Sequence, residues 1–397
     1  MIRKRVVTSA LVVLGIVFGA LMAEGLIRVA QHPLKLFPDR IYQPDKFVGW
    51  VHIPDKSGIH FNNGEFEVKV KINSKGLRDY EYSYQKPPGV FRILLLGDSF
   101  TEAIQVPLED SWPKVLEQLL NNGESTPKIQ VINAGVGSYG TDNALLLYEH
   151  EVNKYEPDLV ILTFHLTDPV DNDHQTGLID SNPKPYFVLD NGTLVLRNYP
   201  VNTSGLNRVA GFMKERSYMA FFFGKVLTGR GGQLVSFLTA QGLLPKAEKP
   251  TLSYYSSYLQ DYPPELERAW KITGSLLTEL KGQVEKRGAR LVVIFAPDSE
   301  QIEEEVWQEV IDKHSRPGEG EWNQTKPNVV LDGLLNKADI PLLQLLPGFR
   351  QRYKDNGKPL HYRRDSHWNL EGNRLAAQLI YDYVLTNKLV PVKGGLN

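Results

Sequence analysis

At 397 residues the chain is long enough to bury a sizeable core, as one large domain or two modest ones. Apolar residues make up 42%, and 45 Lys and Arg nearly cancel 46 Asp and Glu, which excludes a wholly disordered chain and a protein built to coat nucleic acid. With no cysteine, disulfides, thiolate metal sites and cysteine nucleophiles are excluded as well.

The first five residues, Met-Ile-Arg-Lys-Arg, are basic, and Val6 to Ala23 then carries no charge. As a helix that run would reach about 27 Å, close to the hydrocarbon thickness of a bilayer. Positive charge ahead of it predicts an N-terminus inside and everything after Glu24 outside. The alternative is a cleaved leader, but Leu21-Met22-Ala23 puts a large residue where a cleavage site wants a small one. The reading is a transmembrane anchor over 1–30 with an extracytoplasmic domain behind it. Residues 31–90, rich in Pro, Asp and Tyr, form an extended lead-in with one strand-like alternation at 66–72.

From residue 91 the pattern changes. Strand-length apolar runs at 91–96, 129–132 and 159–164 alternate with helix-period stretches at 108–122 and 141–154. After a break at about 174–262 the alternation resumes: helix 263–287, strand 291–295, helix 301–314, a short strand candidate at 341–346, and helix 369–387. The break contains a hairpin signal, Asp190-Asn191-Gly192 between alternating residues, and an apolar cluster at 218–227. Continuous apolar strands separated by amphipathic helices predict a parallel sheet covered on both faces. In such sheets ligands bind beyond the carboxyl ends of the strands, so the residues after Leu96, Ile132 and Phe164 should line the site.

The first strand runs straight into Gly97-Asp98-Ser99, and the last helix is preceded by Asp365-Ser366-His367. A serine hydroxyl becomes nucleophilic when a base takes its proton, and histidine titrates in the right range. A carboxylate on the other ring nitrogen fixes the tautomer. Other serine signatures fail on context. Val136-Gly137-Ser138-Tyr139-Gly140 lacks the first glycine of a nucleophile elbow. Thr228 to Gly232 lacks the strand and Lys-Ser/Thr setting of a phosphate loop. The histidines show no metal-ligand spacing, so neither metal nor cofactor is expected.

On these residues the chain resembles the SGNH hydrolases of the GDSL esterase superfamily, over residues 91–173 and 263–390. The resemblance implies a flavodoxin-like α/β/α sandwich with a five-stranded parallel sheet over 91–390, interrupted by the insertion at 174–262. It implies Ser99 as nucleophile, His367 as base and Asp365 as the acid that orients it, with an Asp-x-His spacing where the family more often has Asp-x-x-His. Two blocks depart from the pattern. Counting from Asn133, the oxyanion glycine falls on Ser138, and the oxyanion asparagine of the third block falls on Thr167 in His165-Leu166-Thr167-Asp168.

The resemblance implies removal of acyl groups, most naturally acetyl, from an extracytoplasmic glycan or another small ester. Two alternatives stay open. The same triad could transfer the acyl group to a polysaccharide hydroxyl, or the protein could be a noncatalytic glycan-binding relative.

Overall fold

The computed structural model describes residues 2–34, 38–62, 64–122, 127–173, 183–201, 217, 252–315, 318 and 320–391. The chain divides into two units, residues 1–40 with 203–250, and residues 41–202 with 251–397. In the first unit α1 (Ile2–Leu34) runs unbroken through the uncharged stretch. Among the described residues no helix is long and apolar enough to cross a membrane. The side chains of residues 2–10, 13 and 31–34 lie outside that description, as do the apolar cluster at 218–227 and the glycine-rich 228–232.

Among the described residues the second unit contains three antiparallel hairpins: β1 (Tyr42–Asp45) with β2 (Gly49–His52), β3 (Ser57–Asn62) with β4 (Phe66–Lys71), and β8 (Tyr186–Asp190) with β9 (Thr193–Arg197). In β4 the alternation works as read, with Val68 and Val70 buried and Glu67 and Lys69 exposed. Between β8 and β9, Asn191 and Gly192 both take positive φ, the conformation that a tight two-residue turn needs. Residues 41–90 belong to the same compact unit as the sheet that follows them.

That sheet consists of β5 (Val90–Leu96), β6 (Lys128–Asn133), β7 (Leu159–Phe164), β10 (Arg290–Phe295) and β11 (Leu342–Gln344). All five are parallel, in the order β11–β10–β7–β5–β6, which is a flavodoxin-like arrangement. The helices are α2 (Ser99–Glu102), α3 (Trp112–Leu120), α4 (Thr141–His150), α5 (Asp168–Asp173), α6 (Pro264–Glu285), α7 (Glu304–His314), α8 (Lys326–Lys337), α9 (Leu346–Asn356) and α10 (Leu370–Thr386).

Successive strand residues face opposite sides, so the sheet divides its apolar residues between two cores. Leu94, Leu96, Leu162 and Val293 pack with Leu145 of α4, Leu276 of α6 and Leu335 of α8. Ile93, Leu95, Ile161 and Ile294 pack with Leu116 of α3, Phe349 of α9 and Ile380 of α10. From β5 the chain first moves outward to β6 and then returns to the other side at β7. The loops after β5 and β7 therefore part and open a crevice at the carboxyl ends of these strands.

Helices α8 and α9 occupy 326–356, where the sequence suggests only a strand at 341–346. Each has a proline in its first turn, and α9 buries only Leu346 and Phe349, so the helical period is weakly marked. The strand itself shrinks to Leu342–Gln344 because α9 begins at Leu346.

Candidate active site

β5 lies inside the sheet, and Gly97 turns its exit at a φ of 146°. A Cβ at Gly97 would sit 2.4 Å from Thr101 Oγ1 and 2.9 Å from the Thr163 carbonyl oxygen, so glycine is required. Asp98 caps α2 by accepting the Phe100 N–H at 2.9 Å. Ser99 is thereby the first residue of a four-residue helix, half-buried at the mouth of the crevice.

The partner loop arrives from the far end of the chain. His361 and Trp368 form an antiparallel bridge at its stem. The Tyr362 N–H donates to the His367 carbonyl at 2.8 Å, and the Ser366 N–H donates to the Tyr362 carbonyl at 3.0 Å. Asn369 then caps α10, accepting from the N–H groups of Glu371 and Gly372 at 3.0 and 3.1 Å. This places His367 Nε2 2.6 Å from Ser99 Oγ and His367 Nδ1 2.7 Å from Asp365 Oδ1. Burial opposes the charged form of His367, but the Asp365 hydrogen bond and charge, helped by Asp98, hold its pKa above the ordinary 6.5. Burial would raise Asp365, yet the hydrogen bond and charge of His367 hold it below its ordinary value.

Ser138 lies in the loop after β6, at a φ of 62°. That loop presses backbone against backbone: a Cβ at Gly135 would sit 2.5 Å from the Glu102 nitrogen. Among the described residues nothing accepts a hydrogen bond from the N–H of either Ser99 or Ser138. Both are free to meet an oxyanion. Thr167 is also at the crevice, with its hydroxyl 3.0 Å from His165 Nδ1.

His165 is buried between Phe100, on which its ring stacks at 4.6 Å between centroids, and Asp298 Oδ2, 2.8 Å from Nε2. Asp98 Oδ2 is 3.8 Å from its Nδ1. Burial pulls the imidazole down, but the charge and hydrogen bond of Asp298, with Asp98 and Asp168, hold it up at about 10. His165 is therefore an imidazolium at neutral pH. Asp298 follows β10, a position the strand-end rule covers, although no motif marks it. The neighbouring His361 goes the other way: burial pushes it down to about 4.

Sequence reasoning also left Asn73 to Asp79 without a role. Arg78 is buried and donates to the Glu102 carbonyl at 2.9 Å. Asp79 accepts the Asn133 N–H at 2.6 Å and pairs with Lys114 at 2.6 Å. One short segment thus ties the end of α2 to the end of β6. Among the described residues no group of three or more His, Asp or Glu is placed to hold a metal.

Residues 255–393 match the family described as SGNH hydrolase-like domain, acetyltransferase AlgX. An arylesterase of Vibrio mimicus is 33% identical over 78 residues, 19% of this chain, and the match spans 38% of that protein's own length. Among solved structures, the acetyl xylan esterase AlAXEase is 15% identical at a TM-score of 0.39, covering 74% of this chain and 100% of its own. A catalytic mutant of Axe2, an acetylxylan esterase from Geobacillus stearothermophilus, is 11% identical at 0.39, covering 76% and 96%. Likenesses this slight carry no argument about function.

The shifts predict a pH profile. A base must be neutral to accept a proton, so kcat/KM on an activated acetyl ester should fall as pH drops through the His367 pKa, at a limb above 6.5. His165, held at about 10, stays protonated across that limb and does not shape it. Asp365→Asn removes the carboxylate that stabilises the imidazolium, so the limb should move to lower pH and the plateau should drop. A limb that stays in place in that variant would detach Asp365 from His367.

Proposed function

This chain carries an SGNH hydrolase-like domain, and from that premise we propose a serine esterase that removes acyl groups, most naturally acetyl, from an extracytoplasmic glycan through an acyl-Ser99 intermediate. One observation carries the proposal: the continuous hydrogen-bonded chain Ser99–His367–Asp365, at 2.6 and 2.7 Å. A binding module has no use for a serine aligned on a base, which speaks against a noncatalytic relative.

In this reading Ser99 Oγ attacks the acyl carbonyl while His367 Nε2 takes its proton. Asp365 keeps Nδ1 protonated and stabilises the imidazolium. The negative oxygen of the tetrahedral intermediate is met by the N–H groups of Ser99 and Ser138, with the Thr167 hydroxyl as a third donor. Collapse expels the alcohol, which takes the proton from His367 and leaves the acyl group on Ser99. Water, deprotonated by His367, then releases the acid and restores the serine. No metal or cofactor enters.

A second reading replaces water by a sugar hydroxyl, making the protein an O-acetyltransferase. The description of the family matched over 255–393 favours it. An acyl-donor assay with and without oligosaccharide separates the two: free acetate marks the hydrolase, and ester formed on the sugar marks the transferase.

We expect a fluorophosphonate to label the wild-type chain at Ser99 and to leave Ser99→Ala unlabelled and inactive but folded. A wild type that takes no label, under conditions that label a known esterase, removes catalysis. Thr167→Val deletes the hydroxyl at nearly constant shape. It should lower kcat on the order of 10–10³-fold with KM changed much less, since the oxyanion exists mainly in the transition state. An unchanged kcat would confine Thr167 to holding His165. We further propose that α1 anchors the domain to a membrane, supported by the uncharged run Val6–Ala23 behind a basic terminus. The chain should then stay with the membrane fraction after alkaline extraction; its release into the supernatant would end that reading.

A further inference from the structure

The β3–β4 hairpin belongs to the segment ahead of the sheet, yet its turn reaches the loop that carries Asp365 and His367. Glu65 closes that turn, its own N–H donating to the Asn62 carbonyl at 3.0 Å. Its Oε1 accepts from the Arg364 N–H at 2.8 Å and its Oε2 from the Asp365 N–H at 3.0 Å. Both oxygens of one carboxylate therefore grip two consecutive N–H groups of a loop about 300 residues away in sequence. Phe66 reinforces the contact by packing on Tyr362, with ring centroids 4.9 Å apart.

The loop has good reason to need this grip. Its stem is fixed by the His361–Trp368 bridge, and Arg363 is tied to the buried Glu303 at 2.6 Å. Its tip is strained, because Ser366 holds a φ of 72°, a conformation that serine keeps only with outside support. Hydrogen bonds to an ionised acceptor are roughly twice as strong as neutral ones, so a carboxylate suits the task.

We propose that Glu65 is a positioning residue for the acid–histidine pair: by holding the N–H groups of Arg364 and Asp365 it sets the Asp365 side chain against His367 Nδ1. The inference rests on the reading of Ser99, His367 and Asp365 given above. Glu65 touches no reacting atom. It acts through Asp365; the charges of Asp98, His165, His60 and His361 also reach His367, and the Phe100 ring lies 5.0 Å from its ring.

The test compares full-length wild type, Glu65→Gln and Glu65→Ala. Three quantities are read: the rate of Ser99 labelling by a fluorophosphonate, kcat and KM on an activated acetyl ester, and the low-field Nδ1 proton of His367 in chain carrying ¹⁵N-labelled histidine. A misplacement near 1 Å costs on the order of 10²-fold, so Glu65→Ala should slow labelling and lower kcat by about 10–100-fold. KM should change less than about threefold, because substrate binding is not what is lost. The Nδ1 proton signal should weaken or move upfield. Glu65→Gln keeps one acceptor oxygen and should fall between the two, and it decides by the same readings if the alanine variant does not fold. A folded Glu65→Ala chain that labels at the wild-type rate overturns the proposal. A loss confined to KM also overturns it, since that would make Glu65 a substrate contact. If the wild type itself takes no label, the catalytic reading fails. The Nδ1 proton then decides alone, and an unchanged signal in Glu65→Ala sinks the positioning role.

Discussion

The hydrogen bond between Ser99 and His367 joins residues 268 positions apart across 2.6 Å, and it exists only while both ends are held still. Neither end can hold itself. A four-residue helix is far too short to be stable alone, and the histidine rides on a loop. Trp112 links the two: its indole N–H donates to the Phe100 carbonyl on α2 at 2.9 Å, and its backbone N–H donates to Asn373 Oδ1 on α10 at 3.1 Å. Asn373 in turn donates to the Trp368 carbonyl, the residue after the histidine, at 3.0 Å. Helix α3 thus clamps α2 to the last helix.

The rest of the serine end depends on buried charge. Glu102, on α2, is fully buried; its carboxylate lies 2.6 Å from His52 Nε2 and accepts the Tyr42 hydroxyl at 2.8 and 2.9 Å. Burial would raise it, but the hydrogen bond and charge of His52 and the Tyr42 hydroxyl hold it below its ordinary value. The Asp79–Lys114 pair is equally buried, and removing one partner of such a pair costs about 3–5 kcal/mol because the other is left uncompensated. Residues 41–90 therefore supply the wall against which Ser99 and α2 are fixed. Their hairpins are too short to stand alone: β1–β2 joins this network through Tyr42 and His52, and β3–β4 packs Val68 and Val70 against Ile41 and Ile104.

What the sequence made legible follows from how local each signal is. β5, β6, β7 and β10 lie where strand-length, mostly apolar runs place them, because a strand buried on both faces writes its burial into consecutive residues. The β8–β9 turn was readable from Asp190-Asn191-Gly192, whose chemistry is confined to neighbouring residues. β1 and β2 were not, since Tyr42-Gln43-Pro44-Asp45 has no period and is a strand only because Gly49 to His52 pairs with it. For the same reason Ser99 and the Asp365–His367 turn could be picked out as short motifs, whereas the contact of His165 with Asp298 could not. It joins residues 133 apart that belong to no motif, and a lone histidine after a strand is chemically mute until its neighbours are known.

That contact bears on the departure in the third block. A hydroxyl has one proton and two lone pairs. His165 is an imidazolium at neutral pH, so its Nδ1 can only donate, and Thr167 Oγ1 accepts from it. The single proton of Thr167 is then left for one other acceptor. An amide side chain brings two N–H donors and needs no such arrangement. On the proposed mechanism a threonine in its place offers a developing negative charge that one proton alone, with its oxygen fixed by His165 from the other side.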